Sequence, residues 1–310
     1  MPVALLLRLE RFGTTYFNEL APNNMTDTDT PSAWDRVSIH GGHSGQFCLH
    51  AKDSLEAVVQ AYIAQGFSWV GITEHMPPPS DRFRYEDEVA AGLSAAFLQD
   101  RFSRYIGEAR KLQETYRGQI RIYVGMETET YSGAAAFCRE LIREHRPDYL
   151  VGSVHHVDDV NFDFSAQHYQ AAVSAAGGVD PLYLRYFDQQ YEMIRSLSPA
   201  VVGHFDLVRI HDPDYRRRME TAPVKERIRR NLELIRERNL ILECNGRALV
   251  KGAAEPYPTE SILRRALALN IAVVPGDDSH GVDSVGLHVD RVGRGLADLG
   301  FDTAWKAPIH

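Results

Sequence analysis

Seven short apolar or β-branched runs recur along this chain, with amphipathic stretches of helical period between them, and that alternation leaves few folds open. The runs are Val37-Ser38-Ile39, Trp69-Val70-Gly71-Ile72-Thr73, Ile120-Arg121-Ile122-Tyr123-Val124, Tyr149-Leu150-Val151-Gly152-Ser153-Val154, Ala200-Val201-Val202-Gly203, Leu240-Ile241-Leu242-Glu243-Cys244 and Ile271-Ala272-Val273-Val274. Helices are predicted over 53–65, 96–116, 133–145, 182–197, 223–238 and 259–269. Strands alternating with helices read as parallel βα units, and 310 residues suffice for a single α/β barrel.

Six of the seven runs lead directly into histidine or carboxylate: His40 to His50, Thr73-Glu74-His75, Gly125-Met126-Glu127, Gly152-Ser153-Val154-His155-His156, Gly203-His204-Phe205-Asp206 and Gly276-Asp277-Asp278-Ser279-His280. An open sheet would string these residues along an edge. A closed barrel of parallel strands gathers them on the face where all βα loops converge, so closure is the predicted architecture. Any one of these histidines alone would read as an ordinary loop or core residue. Their recurrence at strand ends points to a metal site, because imidazole and carboxylate together suit zinc, manganese or iron.

The net charge of -8 offers no basic face for nucleic acid or an anionic membrane, so an anionic substrate must be held by local cations or metals. Cys48, Cys138 and Cys244 are too scattered for a disulfide framework or a thiolate zinc site, which fits a cytoplasmic location. The apolar start Val3-Ala4-Leu5-Leu6-Leu7 is cut short by Arg8, Glu10 and Arg11, and no run approaches the ~20 apolar residues of a membrane span. Residues 1–34 carry a polar, turn-rich stretch and read as a loosely attached extension to a barrel domain at 35–310. Met25 stands where a shorter chain could begin, so residues 1–24 are expected to be dispensable.

The order of the motifs, a His-rich first segment followed by Thr-Glu-His, Gly-Met-Glu, Gly-Ser-Val-His, Gly-His-x-Asp-Leu, Glu-x-Asn and Asp-Ser-His, resembles the PHP (polymerase and histidinol phosphatase) family in its histidinol-phosphatase branch. The likeness runs from about His40 to the C-terminal region. It implies a distorted TIM-like (β/α)7 barrel with two or three divalent ions (zinc, manganese or iron) at the C-terminal strand ends. It further implies hydrolysis of a small phosphate monoester, L-histidinol phosphate, by a metal-bridging hydroxide, as a step of histidine biosynthesis. Carried over residue by residue, His40, His43, Glu127 and Asp278 would hold one ion. Glu127 as a bridge, with His155 and His204, would hold a second, and His50, His75 and His280 a third.

The family's usual first motif is His-x-His, whereas this chain has His40-Gly41-Gly42-His43. On a continuous strand the extra residue would send the two rings to opposite faces, so a glycine-enabled bulge is expected to restore convergence. Glu127, Asp278, His280 and Asp206 are the candidate catalytic residues, Asp206 either assisting proton transfer or supporting a ligand. Arg247, Asn245 and Lys251 are the candidate substrate contacts, because a guanidinium fork and an ammonium suit phosphate. Glu74 either orients a ligand imidazole or is solvated; His156 either supports the site or faces solvent. Asp277 reads as a spare charge, Cys48 and Cys244 as small buried side chains, and Arg216-Arg217-Arg218 as a surface patch. His145, His168, His211, His288 and His310 stand outside the motifs. The loops from Met76 to Leu93 and around Phe162-Asp163-Phe164 are expected to shape specificity. A family hydrolase acting on another phosphoester, and a non-catalytic metal-binding module, are the alternatives.

Overall fold

The computed structural model describes residues 34–309; residues 1–33 of the expected extension, Met25 among them, and His310 lie outside it. Its strands are β1 (Val37–Ser38), β2 (Trp69–Ile72), β3 (Arg121–Glu127), β4 (Tyr149–Gly152), β5 (His156–Val157), β6 (Val160–Asn161), β7 (Val201–Val202), β8 (Ile241–Asn245) and β9 (Ala272–Gly276). A seven-stranded sheet runs in the order β1-β2-β3-β4-β7-β8-β9, parallel at every pairing. Its two edges come together where the Ile39 N–H donates to the Pro275 carbonyl at 2.9 Å and the Asp278 N–H to the His40 carbonyl at 2.8 Å. The result is a nearly closed barrel, with every predicted run contributing a strand.

Helices α1 (Leu55–Ala64), α2 (Glu86–Ala90), α3 (Ala95–Thr115), α4 (Ala134–His145), α5 (Ala166–Ala176), α6 (Val179–Leu197), α7 (Tyr215–Met219), α8 (Ala222–Glu237), α9 (Arg247–Val250), α10 (Glu260–Ala268) and α11 (Val289–Leu299) accompany the strands. No helix among the described residues is long and apolar enough to cross a membrane. α11 lies outside the predicted helices, as do α2, α5, α7 and α9. Its Val289, Val292, Leu296 and Leu299 keep a helical period, but Gly293 and Gly295 look like breakers. Gly293 is where the Trp34 indole packs: a Cβ there would come within 2.7 Å of its nitrogen.

Strand alternation decides what faces the barrel interior. On β3, Ile122, Val124 and Met126 join the layer against the helices, while Tyr123 joins Val37, Ile39, Trp69, Tyr149, Val151, Val201, Ile241 and Val274 inside. Continuing the period of two turns Gly125 and then Glu127 inward above that apolar plug. The same parity on β8 sends Leu242 and Cys244 outward and Ile241, Glu243 and Asn245 inward. Gly276 on the neighbouring strand makes room for Glu243, since a Cβ there would lie 2.1 Å from its Oε1. The barrel is thus apolar at its base and lined with carboxylates at its top.

Candidate active site

Glu127 stands at the centre. Its Oε1 lies 2.9 Å from His204 Nε2 and 3.2 Å from His155 Nε2, and its Oε2 lies 3.2 Å from His75 Nδ1, 3.4 Å from His40 Nε2 and 3.6 Å from His43 Nε2. Asp278 joins through Oδ1, 3.3 Å from His43 Nε2. His50 and His280 close the group, with ring centroids 5.3 Å apart and the His280 ring 4.6 Å from that of His43. All nine residues predicted as metal ligands therefore meet in one cluster, seven of them lining a single cavity while His40 and His43 are fully buried. Among the donor groups close enough to share an ion are His43, His75 and His280, and His40, His43 and Glu127.

His40 and His43 converge without a strand bulge. β1 ends at Ser38, so both rings lie on a loop where strand alternation no longer applies. The two glycines serve close packing: a Cβ on Gly41 would stand 2.4 Å from the Gly71 carbonyl oxygen, and one on Gly42 2.3 Å from Val58 Cγ1. The Gly41 N–H donates to that Gly71 carbonyl at 2.8 Å, pinning the loop to β2.

Buried carboxylates hold the far nitrogens of three of these rings. His40 Nδ1 lies 3.2 Å from Glu243, His43 Nδ1 3.4 Å from Glu74 and His155 Nδ1 3.0 Å from Glu129. Each contact fixes the ring and directs Nε2 into the cluster, as carboxylates do behind metal-bound histidines. Glu74 is itself anchored by the Ser44 N–H and hydroxyl, both at 2.8 Å, so it orients a ring rather than meeting solvent. His40 Nε2, His43 Nε2 and His75 Nδ1 are buried and make no hydrogen bond. Such orphaned donors, aimed at one carboxylate, fit divalent cations.

The electrostatics agree. Burial opposes charge on Glu127, but His40, His75 and His155 outweigh it and hold its carboxyl well below the usual range. Burial likewise opposes charge on His43, yet Asp278 and Glu74 raise it to about 9. Burial and the neighbouring His43 push His280 well below its ordinary value, keeping a neutral imidazole available as a ligand. Carboxylates at this density attract positive charge into the cavity, and cations can displace protons there.

The cavity over the cluster, about 280 Å³, is walled on its outer side by Arg247, Lys251, Tyr257, Asp163 and Phe164. Arg247 and Lys251 occupy α9 and its end, and both line the cavity. Asn245 does not join them. It is fully buried, its Nδ2 donating to Glu243 at 2.9 Å and Asp278 at 3.3 Å while its Oδ1 receives the Arg247 N–H at 2.8 Å. Asn245 thus starts the turn into α9 and sets the Asp278 carboxylate.

Asp206 also departs from expectation. It does not line the cavity; its Oδ2 accepts from Arg209 Nε at 3.3 Å and from the Thr259 N–H at 2.9 Å, tying β7's exit to the start of α10. Asp277 is no spare charge. It is buried, receives Ser38 Oγ at 2.6 Å, the Tyr62 hydroxyl at 2.8 Å and the Gly286 N–H at 2.7 Å, and burial raises its carboxyl to about 6. Of the three consecutive arginines, Arg218 is mostly buried against Asp212, at 2.7 Å, and Asp180. Cys48 and Cys244 are buried as predicted.

Two buried carboxylates that contact the histidine cluster are absent from the predicted site residues. Glu129 touches His155 at 3.0 Å, His156 at 3.2 Å and His75 at 3.3 Å, and takes the Tyr85 hydroxyl at 2.6 Å. Its signal was the spacing Glu127-x-Glu129, which places both on one face of an extended chain. Glu243, which the Glu-x-Asn motif marks without assigning it a role, receives the His204 N–H at 2.8 Å besides holding His40. Its signal was the same parity within β8, shared with Asn245.

Comparison with known proteins bears on this geometry. The PHP domain model matches residues 41–247. The chain is 36% identical over 256 residues to a Schizosaccharomyces pombe protein named "Probable histidinol-phosphatase", spanning 81% of this chain and 83% of that one. It is 29% identical over 294 residues to a Saccharomyces cerevisiae protein named "Histidinol-phosphatase", spanning 84% and 88% respectively. In fold it is similar to the histidinol phosphate phosphatase of Lactococcus lactis, complexed with zinc, L-histidinol and phosphate (TM-score 0.68, 18% identity, 86% of this chain and 95% of that chain).

Proposed function

The chain belongs to the PHP domain family, and from that premise we propose that it is a metal-dependent phosphomonoesterase that hydrolyses L-histidinol phosphate to L-histidinol and phosphate. The observation that carries the reading is the set of imidazole nitrogens directed at Glu127 beneath a wall that presents Arg247. Two named relatives of nearly full length support the substrate.

His40, His43, Glu127 and Asp278 would hold one divalent ion, Glu127 with His155 and His204 a second, and His75, His280 and His50 a third; zinc, manganese and iron all suit this donor set. Bound there, such ions supply Lewis acidity and bring the pKa of a water toward neutrality. Glu127 reaches both halves of the cluster with its two oxygens and so keeps them in register. Glu74, Glu129 and Glu243 keep the rings oriented, which spares the site reorganisation as charge develops. Arg247 offers two parallel N–H donors to phosphoryl oxygens, and Lys251 adds a point charge farther out. The step belongs to histidine biosynthesis, and the cytoplasm suits its three free cysteines.

Phosphate release from L-histidinol phosphate should vanish on chelation and return when zinc, manganese or iron is added back. Glu127→Ala should bind less metal and lose activity while keeping its circular dichroism spectrum. A metal-stripped protein that hydrolysed the ester at full rate would overturn this reading.

A further inference from the structure

The outer wall of the cavity carries charges of both signs that the fold leaves uncompensated. Arg247 and Lys251 make no ion pair among the described residues, and neither does Asp163, which lines the same cavity. Elsewhere exposed charges are commonly paired, as Arg185 is with Asp158 and Arg82 with Asp159 on the same hairpin. An acid left without a cation in a cavity built for an anion costs affinity for a bare phosphate. Its presence is explained if the substrate brings a cation of its own.

The local structure holds Asp163 in place for that task. β5 and β6 form a hairpin whose two turn residues, Asp158 and Asp159, both adopt positive φ, at 51° and 66°. Beyond it Asn161 braces the chain, its Nδ2 donating to Asp163 Oδ1 at 3.0 Å and its Oδ1 receiving the Phe164 N–H at 3.1 Å. Asp163 is therefore fixed through one oxygen, and no hydrogen bond within the described residues engages the other. The next residue, Phe164, is exposed at the cavity mouth although it is aromatic. Its ring lies nearly parallel to that of Tyr85, at 26° with centroids 6.2 Å apart. Tyr85 is held by Glu129, so one jaw of this aromatic pair is tied to the cluster and the other rides on the turn.

We propose that the 161–164 turn is the element that selects the substrate: Asp163 receives the ammonium of an aminoalkyl phosphate, and Phe164, against Tyr85, packs on its heteroaromatic ring. This assignment rests on the phosphomonoesterase reading and deepens it. A substrate with phosphate at one end and a cation at the other spans the cavity with each charge meeting its opposite. The ring is read by a face rather than by a hydrogen bond, an arrangement that favours planar groups.

The test compares three esters on the metal-loaded enzyme: L-histidinol phosphate, phosphoethanolamine, which has the ammonium without the ring, and glycerol 2-phosphate, which has neither. Relative to glycerol 2-phosphate, Asp163→Asn should lower kcat/KM for both amino esters by about tenfold, the order expected for one charge-assisted contact. Phe164→Ala should lower it for L-histidinol phosphate alone. Calorimetry with L-histidinol should show weaker binding to both variants, and thermal melts should match the parent because the turn is partly exposed. Unchanged ratios in Asp163→Asn overturn the assignment while leaving the phosphomonoesterase reading intact. A parent enzyme that hydrolysed none of the three esters would bring down that reading and the assignment with it.

Discussion

On the inner wall of the cavity His40, His43 and His155 each turn one ring nitrogen to a carboxylate of their own, Glu243, Glu74 and Glu129, whereas on the outer wall Arg247, Lys251 and Asp163 meet no opposite charge among the described residues. The inner wall is sealed, with His40, His43, Glu74 and Glu243 at most 2% exposed. It is built from strand ends and the first loop, elements that the barrel itself fixes. The outer wall stands on a four-residue helix and a hairpin turn. Groups satisfied in advance hold a geometry; groups left open await a ligand. In the proposed function this difference separates what performs the chemistry from what chooses the molecule.

Removing a carboxylate behind a ligand ring should break the inner wall hardest after Glu127 itself. Glu129 serves three imidazoles, so Glu129→Gln should cost about 10- to 100-fold in metal affinity or activity. Metal content by elemental analysis, with activity across a metal titration, checks this. Excess metal should restore part of the rate, because the ligands themselves remain. A Glu129→Gln enzyme with parental metal affinity and parental rate would mean that the inner wall tolerates an unpaired ring and that the contrast with the outer wall is false.

How much of this could be read from the sequence follows the same division. Strand ends are legible because an apolar run followed by histidine needs no knowledge of tertiary packing, and each of the seven runs became a strand. The inward acids were harder. Glu243 lies inside an apolar run, and only the parity set by Ile241 turns it toward the cluster. Asp206 failed for the opposite reason: it follows a ligand at a strand end, yet the chain turns immediately after His204, and Arg209 draws the carboxylate away from the cavity. Asp277 and Asp278 are neighbours with opposite fates because one faces Tyr62 and the other His43. Which side of a turn a charge occupies depends on partners tens or hundreds of residues away.

On the outer wall the effects should be smaller and confined to substrate. Arg247→Ala should raise KM for L-histidinol phosphate by about 10- to 100-fold, the range for a charged hydrogen-bonding group. Metal content should stay at the parental level, since no hydrogen bond among the described residues joins the Arg247 side chain to an imidazole. Arg247→Lys should recover only part of the loss, because an ammonium lacks the paired donors of the guanidinium. A loss of bound metal in Arg247→Ala would show that the two walls are one structure.

Lys251 gives the smallest effect and the sharpest form of the contrast. It lies at the exposed C-terminal end of α9, on a flexible four-carbon stem. A charge so placed acts through solvent, where a single exposed ionic contact contributes little, so Lys251→Ala should raise KM by only about two- to threefold. Because salt screens exposed charges within about 10 Å at moderate ionic strength, that difference should fade as salt is added. The Arg247→Ala difference should persist, since Arg247 is half-buried and, in the proposed function, meets the phosphate directly. Measuring KM for both variants across a salt series therefore separates a residue that grips the phosphate from one that attracts it. Equal salt sensitivity in the two variants would assign Arg247 to long-range attraction and leave the phosphate to the inner wall alone.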